Sequence, residues 1–325
     1  MDDISVTVII PCYNEENNIS RCLESLEKLD YPTSLVQVIV VDNGSQDRSR
    51  MIASQFRIQL LQKAGGTIGA VRNYGAKFAH GDILAFVDAD CVVSTDWIRS
   101  FLQYFRDKDN KVGIAGSPPP PPPEGNLLQH AWFSHRMEKY IGEAEYIGSA
   151  NLIISQSLFN HVGGFDETIP SGEDYDLCTR VIQTGYKVIS DYRIKSYHYG
   201  YPSTISAFVK REIWHGKGMT VDFKAPLKSR PLMLSLLYLL CNIFICIFLF
   251  FYIIFNNSLF LTLTLTTIGM ELFPALLLSF QKTLQRRTAT YFPALSTLYF
   301  IYGMSRSYSL ILIAKDWLCG RFSLR

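Results

Sequence analysis

From Pro231 to Phe255 the chain runs for 25 residues with 22 hydrophobic side chains and no charge. As a helix that stretch is about 37 Å long, enough to cross a hydrocarbon core of about 30 Å. Asn256-Asn257-Ser258 leaves room only for a tight turn, and residues 259–280 continue with Glu271 as their one charge. A helical hairpin in a membrane is the economical expectation. Lys282, Arg286 and Arg287 then fall on the same side as Lys217, Lys224, Lys228 and Arg230, a side the positive-inside rule assigns to the cytosol. Residues 290–313 are apolar and aromatic but carry Arg306, which costs about 3 kcal/mol at mid-membrane. A third crossing would also put Lys315, Arg321 and Arg325 outside. An interfacial or re-entrant segment is favoured over a third span.

The rest of the chain is of another kind. Of the last 95 residues 59 are hydrophobic, which leaves about 42% for residues 1–230, an ordinary soluble value. The tail holds seven Lys/Arg and two Asp/Glu, so residues 1–230 are net −3 within a chain of +2. That balance excludes a disordered chain and offers no basic surface for nucleic acid. Seven cysteines, an odd number without CxxC spacing, argue for a reducing compartment. MDDISVTVIIPCYNEE has acids where a signal peptide needs bases. The expected organisation is a cytosolic domain over residues 1–224 and a membrane region over 225–325. The latter has helices at about 231–255 and 259–280 and a third apolar segment at 290–313.

Within the soluble part, SVTVII (5–10), VQVIVV (36–41), RIQLLQ (57–62) and DILAFVDAD (82–90) read as strands. Helical spacing follows the first, with Ile19, Leu23, Leu26 and Leu29, and further helices are expected at 47–55 and up to Ala79. Continuous apolar strands alternating with helices predict an α/β domain with a mostly parallel central sheet, helices on both faces, and ligands at the carboxyl ends of the strands. Strands at 111–116, 147–154 and 186–198 and helices at 126–140 and 173–184 follow, then a basic amphipathic stretch at 204–218. Six prolines, 118–123, predict a stiff segment of about 19 Å, read as a spacer between halves of the domain.

Four polar clusters fall at strand ends or a helix start. Pro11-Cys12-Tyr13-Asn14-Glu15 and Asp42-Asn43-Gly44-Ser45 each suit a turn with a helix cap, but they end consecutive strands. Asp88-Ala89-Asp90 ends a strand, where residues i and i+2 face the same way. Two adjacent carboxylates repel without a cation between them, and oxygen ligands beside phosphates suit Mg2+ or Mn2+. Ser171-Gly172-Glu173-Asp174-Tyr175-Asp176 opens a helix, with Ser171 and Asp174 spaced as a capping box. An acid there ordinarily keeps a low pKa.

Together VIIPCYNEE, VVDNGS, RNYGAKFAHGD, FVDAD and GSANLIISQSLFNHVGGFDE…GEDYDL resemble the family 2 glycosyltransferases of GT-A fold, over roughly residues 4–218. The resemblance implies inverting, metal-dependent transfer of a hexosyl group from a nucleotide sugar, expected to be UDP-linked. It implies that Pro11, Tyr13 and Glu15 line the nucleotide site, that Asp42 contacts the base, and that Arg72 lies near the nucleotide or its phosphates. Asp88 would reach the ribose and Asp90 the metal. Asp174 would be the catalytic base, with Glu173 beside it. SYHYGYPSTISAFVKREIWHG resembles the segment that closes over the diphosphate, giving His198 as a second metal ligand and Arg211 as a phosphate contact. Processive members carry QxxRW. Here Lys210-Arg211-Glu212-Ile213-Trp214 keeps only the Trp, so single-sugar addition is expected. The acceptor would be lipid-linked, such as a polyprenyl-diphosphate saccharide, or a glycan of surface-polysaccharide or cell-envelope assembly. It would meet the enzyme at the cytoplasmic face of the plasma or inner membrane. A nucleotidyltransferase would need a further metal-binding acid and a basic triphosphate grip. A catalytically silent nucleotide-sugar scaffold should lack the DxD pair or the base. A dehydrogenase is disfavoured because no GxGxxG follows the first strand.

Overall fold

The computed structural model describes residues 4–106, 108–133, 140–216, 229–286 and 289–319. The expectations for Lys217, Lys224, Lys228, Arg287, Arg321 and Arg325 lie outside them. The chain forms two compact units, one of Met1–Glu124 with Phe133–Tyr201, the other of Gly125–Trp132 with Pro202–Arg325.

The first unit is built on an eight-stranded sheet. Its strands are β1 (Val6–Cys12), β2 (Val36–Asp42), β3 (Gln59–Gln62), β4 (Ile83–Val87), β6 (Val112–Gly116), β7 (Ile141–Glu143), β8 (Asn151–Ser155) and β9 (Lys187–Asp191). They lie in the order β3-β2-β1-β4-β8-β6-β9-β7. All seven residues of β1 are buried, which is why its sequence is continuously apolar rather than alternating. Its side chains still divide by parity. Val6, Val8 and Ile10 enter a core with Trp97 and Phe101, whereas Ile9 joins Phe86, Phe159 and Phe165 on the opposite face.

The β3-β2-β1-β4 half is parallel, as the sequence predicts. The sheet stays mostly parallel, since β6 and β9 also pair parallel, but β8 runs antiparallel to both β4 and β6, and β7 antiparallel to β9. A run such as Asn151–Ser155 has the same apolar pattern in either direction, so hydropathy does not reveal its orientation. Among the described residues six helices flank the sheet: α1 (Ile19–Glu27), α2 (Ser49–Ala53), α3 (Ile68–Ala76), α4 (Trp97–Arg106), α6 (Gln156–His161) and α7 (Glu173–Gln183). A separate antiparallel ribbon pairs β5 (Cys91–Val93) with β10 (Ser196–His198).

The proline run is not a free spacer. Pro119, Pro121 and Pro122 are buried, and the carbonyls of Pro119 and Pro120 accept bonds from the Tyr201 hydroxyl at 2.7 Å and the His198 N–H at 2.9 Å. Proline has no N–H of its own, but both of its carbonyl lone pairs remain available for such contacts.

The second unit is helical, with α5 (Leu127–Phe133) up to Trp132, α8 (Ile205–Gly216), α9 (Arg230–Phe255), α10 (Ser258–Arg286) and α11 (Phe292–Leu318). Asn256 ends α9 in the left-handed region at φ 46°, and the Asn257 side chain accepts from Leu259 N–H at 2.9 Å, so the expected turn is built from two asparagines. Among the described residues two helices are long and apolar enough to cross a membrane, Arg230–Phe255 and Ser258–Leu284. Their polar residues meet, because Asn242 Nδ2 donates to Glu271 Oε1 at 2.6 Å. Residues 292–318 form one unbroken helix. Its Arg306 donates to Glu212 of α8 at 2.9 and 3.1 Å, both side chains being largely buried, so the cost of an unpaired arginine does not apply. Trp132 packs among Phe208, Tyr299 and Tyr302, with ring centroids 4.9–5.6 Å away.

Candidate active site

The clusters after β1, β2 and β4 come together because these strands are neighbours and parallel, so their carboxyl ends share one edge. Register sets Cys12 beside Asp42 and Pro11 beside Val41. Pro11 is buried within β1, while Tyr13 just beyond it is exposed. Asp42 is buried. Its carboxylate accepts from Gly44 N–H at 3.1 Å and Ser45 N–H at 3.2 Å, a turn that needs Gly44 at φ 84°. Glu15 accepts from Asn18 Nδ2 at 2.8 Å. Burial first, then the charges of Asp90 and Asp88, push its carboxyl up to about 7 against that bond.

Arg72 organises the centre. It is 3% exposed, with Nη2 2.7 Å from Asp88 Oδ1 and Nη1 2.7 Å from Glu173 Oε1. Glu173 also accepts from Ser149 Oγ at 3.3 Å. The next residue, Asp174, accepts from Tyr175 N–H at 2.8 Å and Ser149 N–H at 3.3 Å. The capping box expected of Ser171 and Asp174 is not formed. The N-cap is Gly172 at φ 94°, with no side-chain cap bond, and Asp174 turns instead toward Ser149. Its carboxyl is raised above its ordinary value rather than kept low. Burial is the main cause and the Glu173 charge the second, opposed by the Tyr175 N–H, Arg72 and the Ser149 N–H.

Asp90 lies 3.6 Å from His198 Nε2, both side chains mostly buried. The β5–β10 ribbon places His198 opposite Cys91, and Tyr199 N–H donates to the Asp90 carbonyl at 2.8 Å. Ligand atoms of Asp90, Cys91 and His198 lie within 4.8 Å of one another. Burial raises the Cys91 thiol well above its usual pKa, which leaves carboxylate and imidazole as the donors suited to a hard cation. The backbone of Gly200 passes so close that a Cβ there would overlap Asp90 Oδ2. The His198 ring stacks on Tyr201 at 4.2 Å, and Tyr201 stacks on Phe133 at 3.5 Å.

Thus Glu15, Arg72, Asp88, Asp90, Glu173, Asp174 and His198 are held in one unit by direct bonds or mutual charge, and Asp42 shares the strand-end edge. Arg211 is on α8 in the other unit, where its Nε donates to His215 Nε2 at 3.3 Å. Sequence reasoning missed Ser149, Gly200 and Tyr201. Ser149 sits in a quoted motif, but its bond to Glu173 spans 24 positions and leaves no local signal.

The fold is that of a GT-A domain. Its fold matches the mannosyltransferase PcManGT of Pyrobaculum calidifontis, solved in complex with GDP-Man and Mn2+, with a TM-score of 0.59 at 16% identity, over 94% of this chain and 87% of that one. The family model for glycosyl transferase family 2 matches residues 7–162. Glycosyltransferase AglE of Haloferax volcanii is 30% identical over 223 residues, 66% of this chain and 72% of AglE. The chain belongs to glycosyl transferase family 2 and is a glycosyltransferase. The pre-mycofactocin glycosyltransferase of Mycobacterium tuberculosis is 27% identical over 245 residues, 71% of this chain but only 50% of that protein.

Proposed function

We propose that this protein moves a single sugar from a nucleoside diphosphate donor, UDP-linked by expectation, to a lipid-linked or glycan acceptor with inversion at the anomeric carbon. The observation that carries the reading is the charge around Arg72. Asp88 and Glu173 share one guanidinium, Asp174 feels the Glu173 charge beside it, and Asp90 faces His198 at 3.6 Å. Such an excess of buried negative charge suits a site that receives a cation with its diphosphate.

Asp90 and His198 would hold Mg2+ or Mn2+. When bound, the metal neutralises charge developing on the leaving diphosphate. Tyr13 offers a ring face to a base, and Asp42, Glu15 and Asp88 line the nucleotide side. Pro11, buried in β1, fixes where that wall begins. Arg72 is assigned to holding Asp88 and Glu173 rather than to a phosphate, because both terminal nitrogens are engaged. Arg211 is retained as a diphosphate contact on the resemblance alone. Asp174 takes the acceptor hydroxyl proton as the oxygen attacks, and its raised pKa makes it a stronger base than an exposed aspartate. Glu173, held by Arg72 and Ser149, fixes the start of the helix that aims it.

The cytosolic domain of residues 1–224 would be anchored by α9 and α10, whose hairpin returns Lys282 and Arg286 to the end marked by Arg230. A lipid-linked acceptor at the cytoplasmic face of the cell membrane gives such an anchor a purpose. For α11, a re-entrant path needs a turn that an unbroken helix lacks, so an interfacial position is retained. The missing QxxRW supports a single addition. The test is hydrolysis of a nucleotide-sugar panel by full-length protein in detergent. Nucleoside diphosphate release that requires Mg2+ or Mn2+ and is lost in Asp90→Ala is expected. Release insensitive to chelation, or no turnover of any donor, overturns the reading.

A further inference from the structure

Tyr146 and Tyr175 are 29 positions apart, yet their rings meet edge to face with centroids 5.7 Å apart at 68°. They are 48% and 54% exposed, so each keeps about half of a large side chain in water. Two bonds fix them around one group. Tyr175 donates its own N–H to Asp174 Oδ1, and the segment that Tyr146 opens donates Ser149 N–H to Asp174 Oδ2. Between them Ile147 is buried and pinned by its N–H to Cys178 Sγ at 3.4 Å. The backbone that carries the aromatic pair is therefore bonded to both oxygens of the proposed base.

An acceptor hydroxyl has to come within about 2.6–3.2 Å of that carboxylate, so the rest of the acceptor lies against what flanks it. Charge discriminates between acceptor classes. The surroundings carry Glu145, Asp174 and Asp176, and the cation nearest to them along α7, Arg180, is bound to Asp176 at 2.6 and 2.8 Å. A phosphate at this spot would meet acids whose nearby arginines, Arg180 and Arg72, are already bound to carboxylates. A pyranose ring fits. One of its faces is a patch of C–H groups that complements the electron-rich face of a tyrosine, and its hydroxyls are within the reach of phenol groups.

We propose that Tyr146 and Tyr175 form the acceptor subsite, stacking one face of a pyranose, so that the enzyme extends an existing saccharide rather than priming a lipid phosphate. This rests on Asp174 as the base. The experiment is saturation-transfer NMR on the full-length protein in detergent. The probes are the methyl β-D-glycopyranosides of glucose, galactose, mannose and N-acetylglucosamine, with farnesyl phosphate as the phosphate probe. At least one glycoside should receive saturation at its ring C–H groups. Its affinity should fall about threefold to tenfold in Tyr146→Ala and in Tyr175→Ala, with circular dichroism unchanged, and should return in the Phe variants. No glycoside signal in the unaltered protein, affinity retained in both Ala variants, or sugar transfer to farnesyl phosphate overturns the proposal. If the tyrosine effects appear but Asp174→Asn turns over normally, the platform stands and the assignment of the base fails.

Discussion

Each unit of the molecule buries an arginine, and the two do so on different terms. Arg306 meets one carboxylate, Glu212, and the pair is balanced. Arg72 meets two, Asp88 and Glu173, with Asp174 as their neighbour, and the set stays negative. Desolvating ions is costly, and a buried pair roughly breaks even only when the charges match. The Arg306 pair therefore serves as a peg between α8 and α11, replaceable in principle by apolar packing. The Arg72 set carries charge that folding alone has no use for. On the proposed function, a cation with its diphosphate would complete it.

The sharpest way to break this contrast is to remove charge from each set. Asp174→Asn should lower transfer by about 10^2–10^4-fold while nucleotide binding, measured by calorimetry, remains. Normal turnover would make the excess charge incidental. Next come the arginines. Arg72→Met strands Glu173 and Asp88, Arg306→Met strands Glu212, and each should cost about 3–5 kcal/mol in stability, read from thermal or denaturant unfolding. The doubles should then diverge. Arg306→Met with Glu212→Leu should regain most of that stability, whereas Arg72→Met with Glu173→Gln should recover stability without recovering transfer.

A smaller effect is expected at Gly200. Gly200→Ala pushes on Asp90 and should weaken Mn2+ binding about 10–100-fold, the size expected when the support around a ligand is disturbed, as read by electron paramagnetic resonance. The smallest is a shift along the pH axis. With its carboxyl raised by burial and Glu173, Asp174 should be protonated, and the rate lost, at a higher pH than for an ordinary aspartate. Arg72 opposes that rise, so Arg72→Met should move the acid limb of kcat to higher pH. A limb that stays in place would separate the arginine from the base.

The same contrast governs how much could be read in advance. β1, β2 and β4 are legible because burial on both faces makes their runs continuously apolar, and the turns after them declare themselves by Asp, Asn and Gly. β5, β7 and β10 are three residues each, and only a partner strand defines them. Asp88, Asp90 and Asp174 stand out as local motifs. That Arg72 joins Asp88 to Glu173, 101 positions from the arginine, is a tertiary fact with no local trace, and the pairing of Arg306 with Glu212, 94 positions apart, is another. The prolines mislead for a related reason, since a stiff run has the same composition whether it faces water or a histidine.

That run has a kinetic and entropic side. Each proline enters folding with φ already near its final value, so ordering residues 118–123 surrenders less chain freedom than any other six-residue wall would. The carbonyls that anchor His198 and Tyr201 sit on a beam that is stiff before the sheet beside it has formed. Softening the beam, by Pro120→Gly for instance, would loosen the histidine without altering a single atom of it.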